Sequence, residues 1–185
     1  MKIKIIKCKV CGERFQLYNS LRPYCSYGCG AKYALKLKAK KDAKDNRDNA
    51  KETRARKQAL LTHKDWIKLY QITFNTFIRE RDKGLPCISC GTTRNVVYAA
   101  GHFIPTTYQY LRFNELNVHR QCNKNCNMMK SGNLIEYRIN LIEKIGLEDV
   151  EYLENSRHMM LEISIPEIQD KIKEYKLKIK DLKGV

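Results

Sequence analysis

Eight cysteines fall in four closely spaced pairs along the chain of 185 residues. The pairs are Cys8/Cys11, Cys25/Cys29, Cys87/Cys90 and Cys122/Cys126. Four thiolates suit a tetrahedral Zn²⁺ site with no open position, which makes such a site structural. The sequence therefore predicts two structural Zn²⁺ ions, one on the first two pairs and one on the last two. Free thiols are the alternative, and the double pairing argues against them.

Four residues with side chains suited to hydrolysis lie within or directly after the loop between the last two pairs. They are His102, Asn117, His119 and Asn127. Metal-assisted hydrolysis needs an aligned water, a base that titrates near neutral pH and a cation for the developing negative charge. Histidine titrates in that range, and an amide oxygen suits a hard cation. The alternatives are a buried structural role for His102 and a role for His119 in capping a loop or contacting the zinc region.

The positive charge is concentrated in the first third of the chain. The net charge is +16, and residues 1–61 hold 17 Lys/Arg against 5 Asp/Glu. A basic block of this kind predicts contact with a polyanion, most simply nucleic acid, although a solvated basic helix is the alternative. The candidate phosphate-binding residues are Lys36, Lys38, Lys40, Lys41, Lys44, Arg54, Arg56, Lys57, Arg112, Arg120 and Lys130.

The elements that must position these residues divide into a short finger, a basic connector and a larger domain. Residues 1–30 are too short to bury a core alone, so we expect a metal-stapled finger of the treble-clef or ribbon type. Its small apolar patch would be made by Phe15, Leu17, Tyr18 and Leu21. Residues 31–61 are rich in Lys, Arg and Ala and predict a basic, partly helical connector.

Three helical regions are expected in the remainder of the chain. A helix over 62–83 follows a capping-box start, with a packed stripe of Trp66, Leu69, Tyr70, Thr73, Phe77 and Ile78. Two short helices, over 134–145 and 148–160, are split by Gly146. A last amphipathic helix within 161–185 either packs on the larger domain, 62–160, or pairs with a second chain. The expected fold is α+β and mostly helical.

The order Cys pair, Gly101-His102, Asn117, Cys pair, Asn127 resembles the HNH or ββα-metal nuclease motif in its zinc-stapled form. The resemblance implies that His102 is the general base, Asn117 a brace, and Asn127 a ligand of Mg²⁺ or Mn²⁺. It leaves His119 as a second ligand or a phosphate contact. Residues 98–101 contain no carboxylate, which favours the alternative of a non-catalytic zinc-finger accessory protein that binds nucleic acid.

Four further segments are similar to the NinG/Rap family of lambdoid phage recombination proteins. They are Phe77–Asp82, Leu85–Gly91, Leu111–Glu115 and Lys130–Leu134. The resemblance implies a phage or prophage endonuclease that cuts branched DNA such as Holliday junctions and D-loops, alongside other phage recombination proteins. A symmetric junction would suit a homodimer. The sequence shows no membrane span or signal peptide, so we expect the host cytoplasm.

Overall fold

The computed structural model describes residues 4–17 and 22–184, and these ranges are mostly helical with two small antiparallel sheets. The expected mostly helical α+β class is confirmed. The chain divides into two compact units, Met1–Leu60 and Leu61–Val185. Tyr18 and Leu21, assigned by the sequence to the apolar patch of the finger, lie outside the described residues. None of the described helices is both long enough and apolar enough to cross a bilayer.

The first unit joins a hairpin to one long helix. Strand β1 (Ile5–Lys7) pairs with β2 (Arg14–Gln16), and helix α1 spans Tyr27–Ala59. Ser26 caps α1, because its Oγ accepts a hydrogen bond from the Cys29 N–H at 3.3 Å. The cap places the helix start before residue 31, and strong helix formers continue the helix to Ala59. The connector expected to be partly helical is thus helical throughout residues 31–59.

The second unit has its main core between helices α2 (His63–Arg81) and α5 (Ile165–Lys183). Both begin with a capping box, Thr62 with Asp65 and Ser164 with Glu167. The buried residues of this core are Trp66, Tyr70, Phe74, Phe77, Ile78, Val118, Ile168, Ile172 and Tyr175. The apolar stripe of the last helix therefore packs on its own chain.

One part of the stripe predicted for α2 is wrong. Leu69 is 39% exposed and Thr73 is only half-buried, whereas Phe74 is fully buried. With 3.6 residues per turn, the face centred on residues 66, 70, 74 and 77 turns positions 69 and 73 toward solvent. Phe74 takes the place in the core that the sequence assigned to Thr73.

The candidate catalytic residues lie on a second hairpin and the turn that follows it. Strand β3 (Tyr98–His102) pairs antiparallel with β4 (Val118–Cys122), with His102 opposite Val118. A single π-helical turn, Asn123–Met129, comes directly after β4 and packs against both strands. Helices α3 (Leu134–Ile145) and α4 (Leu147–Asn155) complete the unit.

Helix α4 is shorter than the predicted 148–160 segment. It ends at Asn155 and gives way to a 3₁₀ turn, Ser156–His158, because Asn and Ser compete with helical hydrogen bonding. Gly146 separates α3 from α4 as predicted. It adopts φ +93°, which a residue with a side chain rarely tolerates.

Candidate functional site

The first cysteine cluster is formed by the hairpin turn and the start of α1. The Sγ atoms of Cys8, Cys11, Cys25 and Cys29 all lie within 4.8 Å of one another. The backbone N–H of Cys11 lowers the pKa of Cys8 to about 6, whereas at Cys11 the backbone N–H of Glu13 is outweighed by the thiols of Cys25 and Cys8, which raise the pKa of Cys11 to about 12. The Cys11 thiol therefore ionises only when a metal binds it. The hairpin turn and the helix N-terminus bring the four thiols together, and four converging thiolates fit Zn²⁺.

The second cluster joins the 87–90 knuckle to the end of β4. The Sγ atoms of Cys87, Cys90, Cys122 and Cys126 again lie within 4.8 Å of one another, and all but Cys90 are buried. The Cys122 N–H donates to Cys87 Sγ at 3.3 Å, and the Cys126 N–H donates to Cys122 Sγ at 3.4 Å. The wider π-helical turn accommodates the three residues that separate Cys122 from Cys126. This donor set also fits a structural Zn²⁺.

His102 is the last residue of β3, and the backbone carbonyls of Arg112 and Ala100 both interact with its ring. Its Nε2 lies 3.0 Å from the Arg112 carbonyl oxygen. A carbonyl only accepts, so Nε2 carries the proton and Nδ1 keeps its lone pair. Burial lowers the pKa of His102 more than the carbonyl of Arg112 raises it. The ring is therefore neutral at pH 7 and able to take up a proton.

Asn117 is fully buried and fastens the loop that follows β3. Its Oδ1 accepts from the Ile104 N–H at 2.7 Å. Its Nδ2 donates to the carbonyls of Ile104 at 3.0 Å and Leu111 at 2.9 Å. All three bonds hold the segment that leads from His102 to the Arg112 carbonyl, which is the geometry of a brace.

His119 is 3% exposed and has partners at both ring nitrogens. Its Nε2 lies 3.0 Å from the Leu116 carbonyl oxygen and therefore donates. Its Nδ1 accepts from Arg81 Nη2 at 3.1 Å and Lys144 Nζ at 3.0 Å. Two cations at Nδ1 disfavour a metal ion there. The geometry favours the loop-capping interpretation of His119 over the metal-ligand one.

The sequence reasoning missed a buried carboxylate beside His119. Asp82 is 2% exposed and accepts from Arg81 Nε at 2.8 Å and from the Arg120 N–H at 2.9 Å. Burial by itself raises the pKa of Asp82, but the neighbouring side chains of His119, Arg81 and Lys144 hold it well below its usual range. In the sequence, the adjacent Arg81 and Asp82 at the end of the predicted helix are the signal that could have indicated this buried ion pair.

Asn127 lies in the middle of the π-helical turn and is half-buried. Its Nδ2 donates to Asn123 Oδ1 at 3.3 Å, which directs the amide without using its oxygen. Asn127 Oδ1 accepts no hydrogen bond from the residues that the structure describes. This oxygen fits a hard cation that takes its remaining ligands from water or phosphate.

The candidate phosphate-binding residues fall into two groups. The side chains on α1 and Lys130 are exposed. Among the residues that the structure describes, Arg56 is the one member of this group that pairs with a carboxylate, that of Glu52 at 2.7 Å. Arg112 and Arg120 have internal partners instead. Arg112 Nε donates to Gln71 at 2.5 Å, and the Arg120 guanidinium lies 3.7 Å from the centroid of the Tyr98 ring.

The comparison with protein families agrees with the motifs. A family model described as Bacteriophage Lambda NinG protein matches residues 1–184. The chain belongs to the NinG family. Protein ninG of Escherichia phage lambda is 41% identical, with 96% of this chain and 93% of that protein aligned. Protein ninG of Salmonella phage P22 is 40% identical over 96% of this chain and 93% of that protein. No solved structure matches this NinG-family chain.

Proposed function

We propose that this NinG-family protein is an endonuclease that hydrolyses phosphodiesters in branched DNA by metal-assisted chemistry. The observation that carries the proposal is the neutral His102 at the end of β3. His102 lies in the β3–β4 hairpin, which is followed by the π-helical turn. That turn carries Asn127, whose Oδ1 accepts no hydrogen bond from the described residues. This order of elements is the one expected of a zinc-stapled ββα-metal nuclease.

The protein's own groups perform the proton transfer and the positioning. His102 Nδ1 takes a proton from a water molecule as the water oxygen attacks phosphorus. The bond from phosphorus to the leaving ester oxygen breaks, and that oxygen leaves with a proton from solvent. Asn117 maintains the loop that orients the ring. Mg²⁺ or Mn²⁺, bound through Asn127 Oδ1 and DNA phosphate oxygens, would stabilise the developing negative charge.

The basic helix α1 would supply most of the affinity. Between residues 32 and 57 the chain holds 11 basic and 4 acidic side chains, and all 11 basic ones are exposed. Such a surface binds the phosphate backbone through counterion release and does not read sequence. The two Zn²⁺ ions would be structural only. We further propose that the protein acts in the host cytoplasm with other phage recombination proteins, and that paired cuts at a symmetric junction need a homodimer.

The deciding experiment compares the wild type with His102→Ala on a labelled four-way junction and the matching linear duplex. Each is incubated with Mg²⁺, with Mn²⁺ or without added divalent metal, since a strong chelator would also remove Zn²⁺. We expect metal-dependent cleavage of the junction by the wild type and a loss of at least about 100-fold in His102→Ala. His158→Ala, at an exposed histidine, is the control and should cleave normally.

The second candidate function is a non-catalytic module that binds nucleic acid. Among the described residues, no group of three or more His, Cys, Asp or Glu side chains converges apart from the two cysteine clusters. A catalytic cation would therefore depend on one protein oxygen. Tight junction binding without cleavage in any metal would establish this second function, and normal cleavage by His102→Ala would refute the role of His102.

A further inference from the structure

An open groove of about 1110 Å³ lies beside the second cysteine cluster. One wall is the loop 91–97 and the other is the π-helical turn, while Cys90 and Cys122 lie between them. The groove is larger than the roughly 300–1,000 Å³ usual for small-molecule pockets and is open along its length. A segment of a linear polymer fits these dimensions better than a compact metabolite.

Hydrogen bonds hold the two walls in place. The Asn123 N–H donates to the Val97 carbonyl at 2.9 Å and connects the turn to the loop. The Tyr98 hydroxyl donates to the carbonyls of Arg94 at 2.8 Å and Thr92 at 3.1 Å. The groove is thus preformed, and its shape depends on the cysteine cluster beneath it.

Apart from the zinc-binding thiolates of Cys90 and Cys122, the charged side chains that line the groove are basic. Arg94 and Lys124 are exposed, and neither forms a salt bridge within the part of the chain that the structure describes. Among the described residues that line the groove, none has a carboxylate. Two exposed cations that form no salt bridge among the described residues favour an anionic occupant on their side of the groove.

The uncharged lining combines apolar side chains with amides. Val97 is 74% exposed and Met129 is 72% exposed, so both offer apolar surface to the groove. Asn95, Asn123 and Asn125 add groups that both donate and accept hydrogen bonds. Cations for phosphate, apolar surface for a base face and amides for a base edge together match a nucleotide.

We propose that this groove binds unpaired nucleotides of a DNA strand. The inference rests on the proposed function, because it takes DNA as the substrate and adds how a branch is recognised. In a duplex the base faces are stacked and hidden, so Val97 and Met129 gain contact only with an unstacked base. Asn127 lies on the same turn as Lys124 and Met129, so the groove and the proposed cation site are adjacent.

The test measures binding by the full-length zinc-loaded protein in the absence of Mg²⁺ and Mn²⁺. The probes are a perfect duplex, the same duplex with three unpaired thymidines in one strand, and free thymidine monophosphate. Stacking contributes roughly 1–3 kcal/mol per base, so the wild type should bind the bulged duplex at least about fivefold more tightly than the perfect one.

Two groove variants separate the contributions of charge and apolar surface. Arg94→Ala/Lys124→Ala should lose most of the preference for the bulged duplex. It should also reduce the magnitude of the slope of log K against log salt by about 1.4, because each of the two lost phosphate contacts contributes about 0.7. Val97→Ser/Met129→Ser should lose the preference and keep the slope. The control Lys176→Ala/Lys180→Ala removes the same charge from exposed positions on α5 and should keep the preference.

The outcomes distinguish this inference from the nuclease proposal. Equal wild-type affinity for the two duplexes, or an equal loss of preference in the control, would overturn the groove while His102-dependent cleavage could still stand. Loss of preference in the groove variants alone would support the groove even if no metal gave cleavage. Competition by thymidine monophosphate near stoichiometric concentration would identify a mononucleotide site and refute strand binding.

Discussion

Gly101 leaves space for the Gln121 side chain to cross the β3–β4 sheet. A Cβ built on Gly101 would lie 2.8 Å from Gln121 Cβ, closer than real side chains approach. Gln121 is fully buried, and its Nε2 donates to Ser89 Oγ at 2.6 Å, so it has no free direction in which to move. The close approach explains why glycine precedes the candidate base, His102.

Gly101→Ala should therefore lower the free energy of unfolding by about 1–3 kcal/mol, the usual cost of overpacking a filled interior. It should also reduce cleavage, since the displaced strand carries His102. Urea unfolding checks the first effect. Gly28→Ala is the control, because a Cβ there meets nothing within 4 Å. Equal stability of Gly101→Ala and the wild type would show that the sheet can shift without cost.

Asp82→Asn should lower the free energy of unfolding at pH 7 by about 3 kcal/mol, because Arg81 loses a buried partner. The folded pKa lies below the unfolded value of about 3.9, so the carboxylate contributes fully above that value and its contribution declines as the pH falls below it. The difference between wild type and variant should stay constant from pH 7 to 5. Asp181→Asn, at an exposed carboxylate, is the control. A difference that changes across this range would assign the effect to another group.

Cysteine spacing predicted both metal-binding sets, but the surroundings of the histidines could not be predicted. A knuckle brings its two cysteines together locally, and a four-thiolate site then requires the two knuckles to meet. The partners of His119, Arg81 and Lys144, are 38 and 25 residues away in the chain and meet only because α2 and α3 pack beside β4. No local sequence pattern predicts contacts between residues so far apart in the chain.

At the scale of elements, helices with strong start signals were predicted well. The capping box at Thr62 set the start of α2 to within one residue, and α5 lies within the predicted 161–185 segment. The π-helical turn was not predicted, because its widened geometry follows from closing a metal site across Cys122 and Cys126. Helix α1 was only partly predicted, since periodicity is uninformative for a helix without a buried face.

Tyr175 is the residue of α5 that best tests the α2–α5 pair. It is 5% exposed, its ring centroid lies 5.0 Å from that of Phe77, and its hydroxyl donates to Glu115 at 3.0 Å. Tyr175→Ala should lower the free energy of unfolding by about 3–5 kcal/mol. Leu177→Ala, at a side chain 62% exposed, should change it by less than about 0.5 kcal/mol. Similar losses in both variants would contradict intramolecular packing and indicate that the outer face of α5 is covered by a second chain.

At the scale of the whole molecule, the two units depend on metal in different ways. In the first unit, Cys8 is the only buried residue among those described, so an apolar core does not hold the finger together. The second unit has two apolar clusters beside its cysteines. Metal should therefore be the main source of order for the finger, whereas in the second unit it fixes one end of an existing core.

Cys25→Ser and Cys122→Ser should each reduce bound Zn²⁺ from two ions per chain to one, with different structural effects. The single tryptophan, Trp66, is 8% exposed and lies in the second unit, so its fluorescence reports that unit alone. Cys25→Ser should leave the Trp66 unfolding transition unchanged, because the finger has its own ligands. Cys122→Ser should lower the midpoint of that transition and weaken cleavage, since Cys122 ends β4 and begins the turn that carries Asn127. Zinc content by atomic absorption and Trp66 emission during urea unfolding check both variants. If Cys25→Ser shifted the Trp66 transition as far as Cys122→Ser, the two units would fold as one and the independent finger would be refuted.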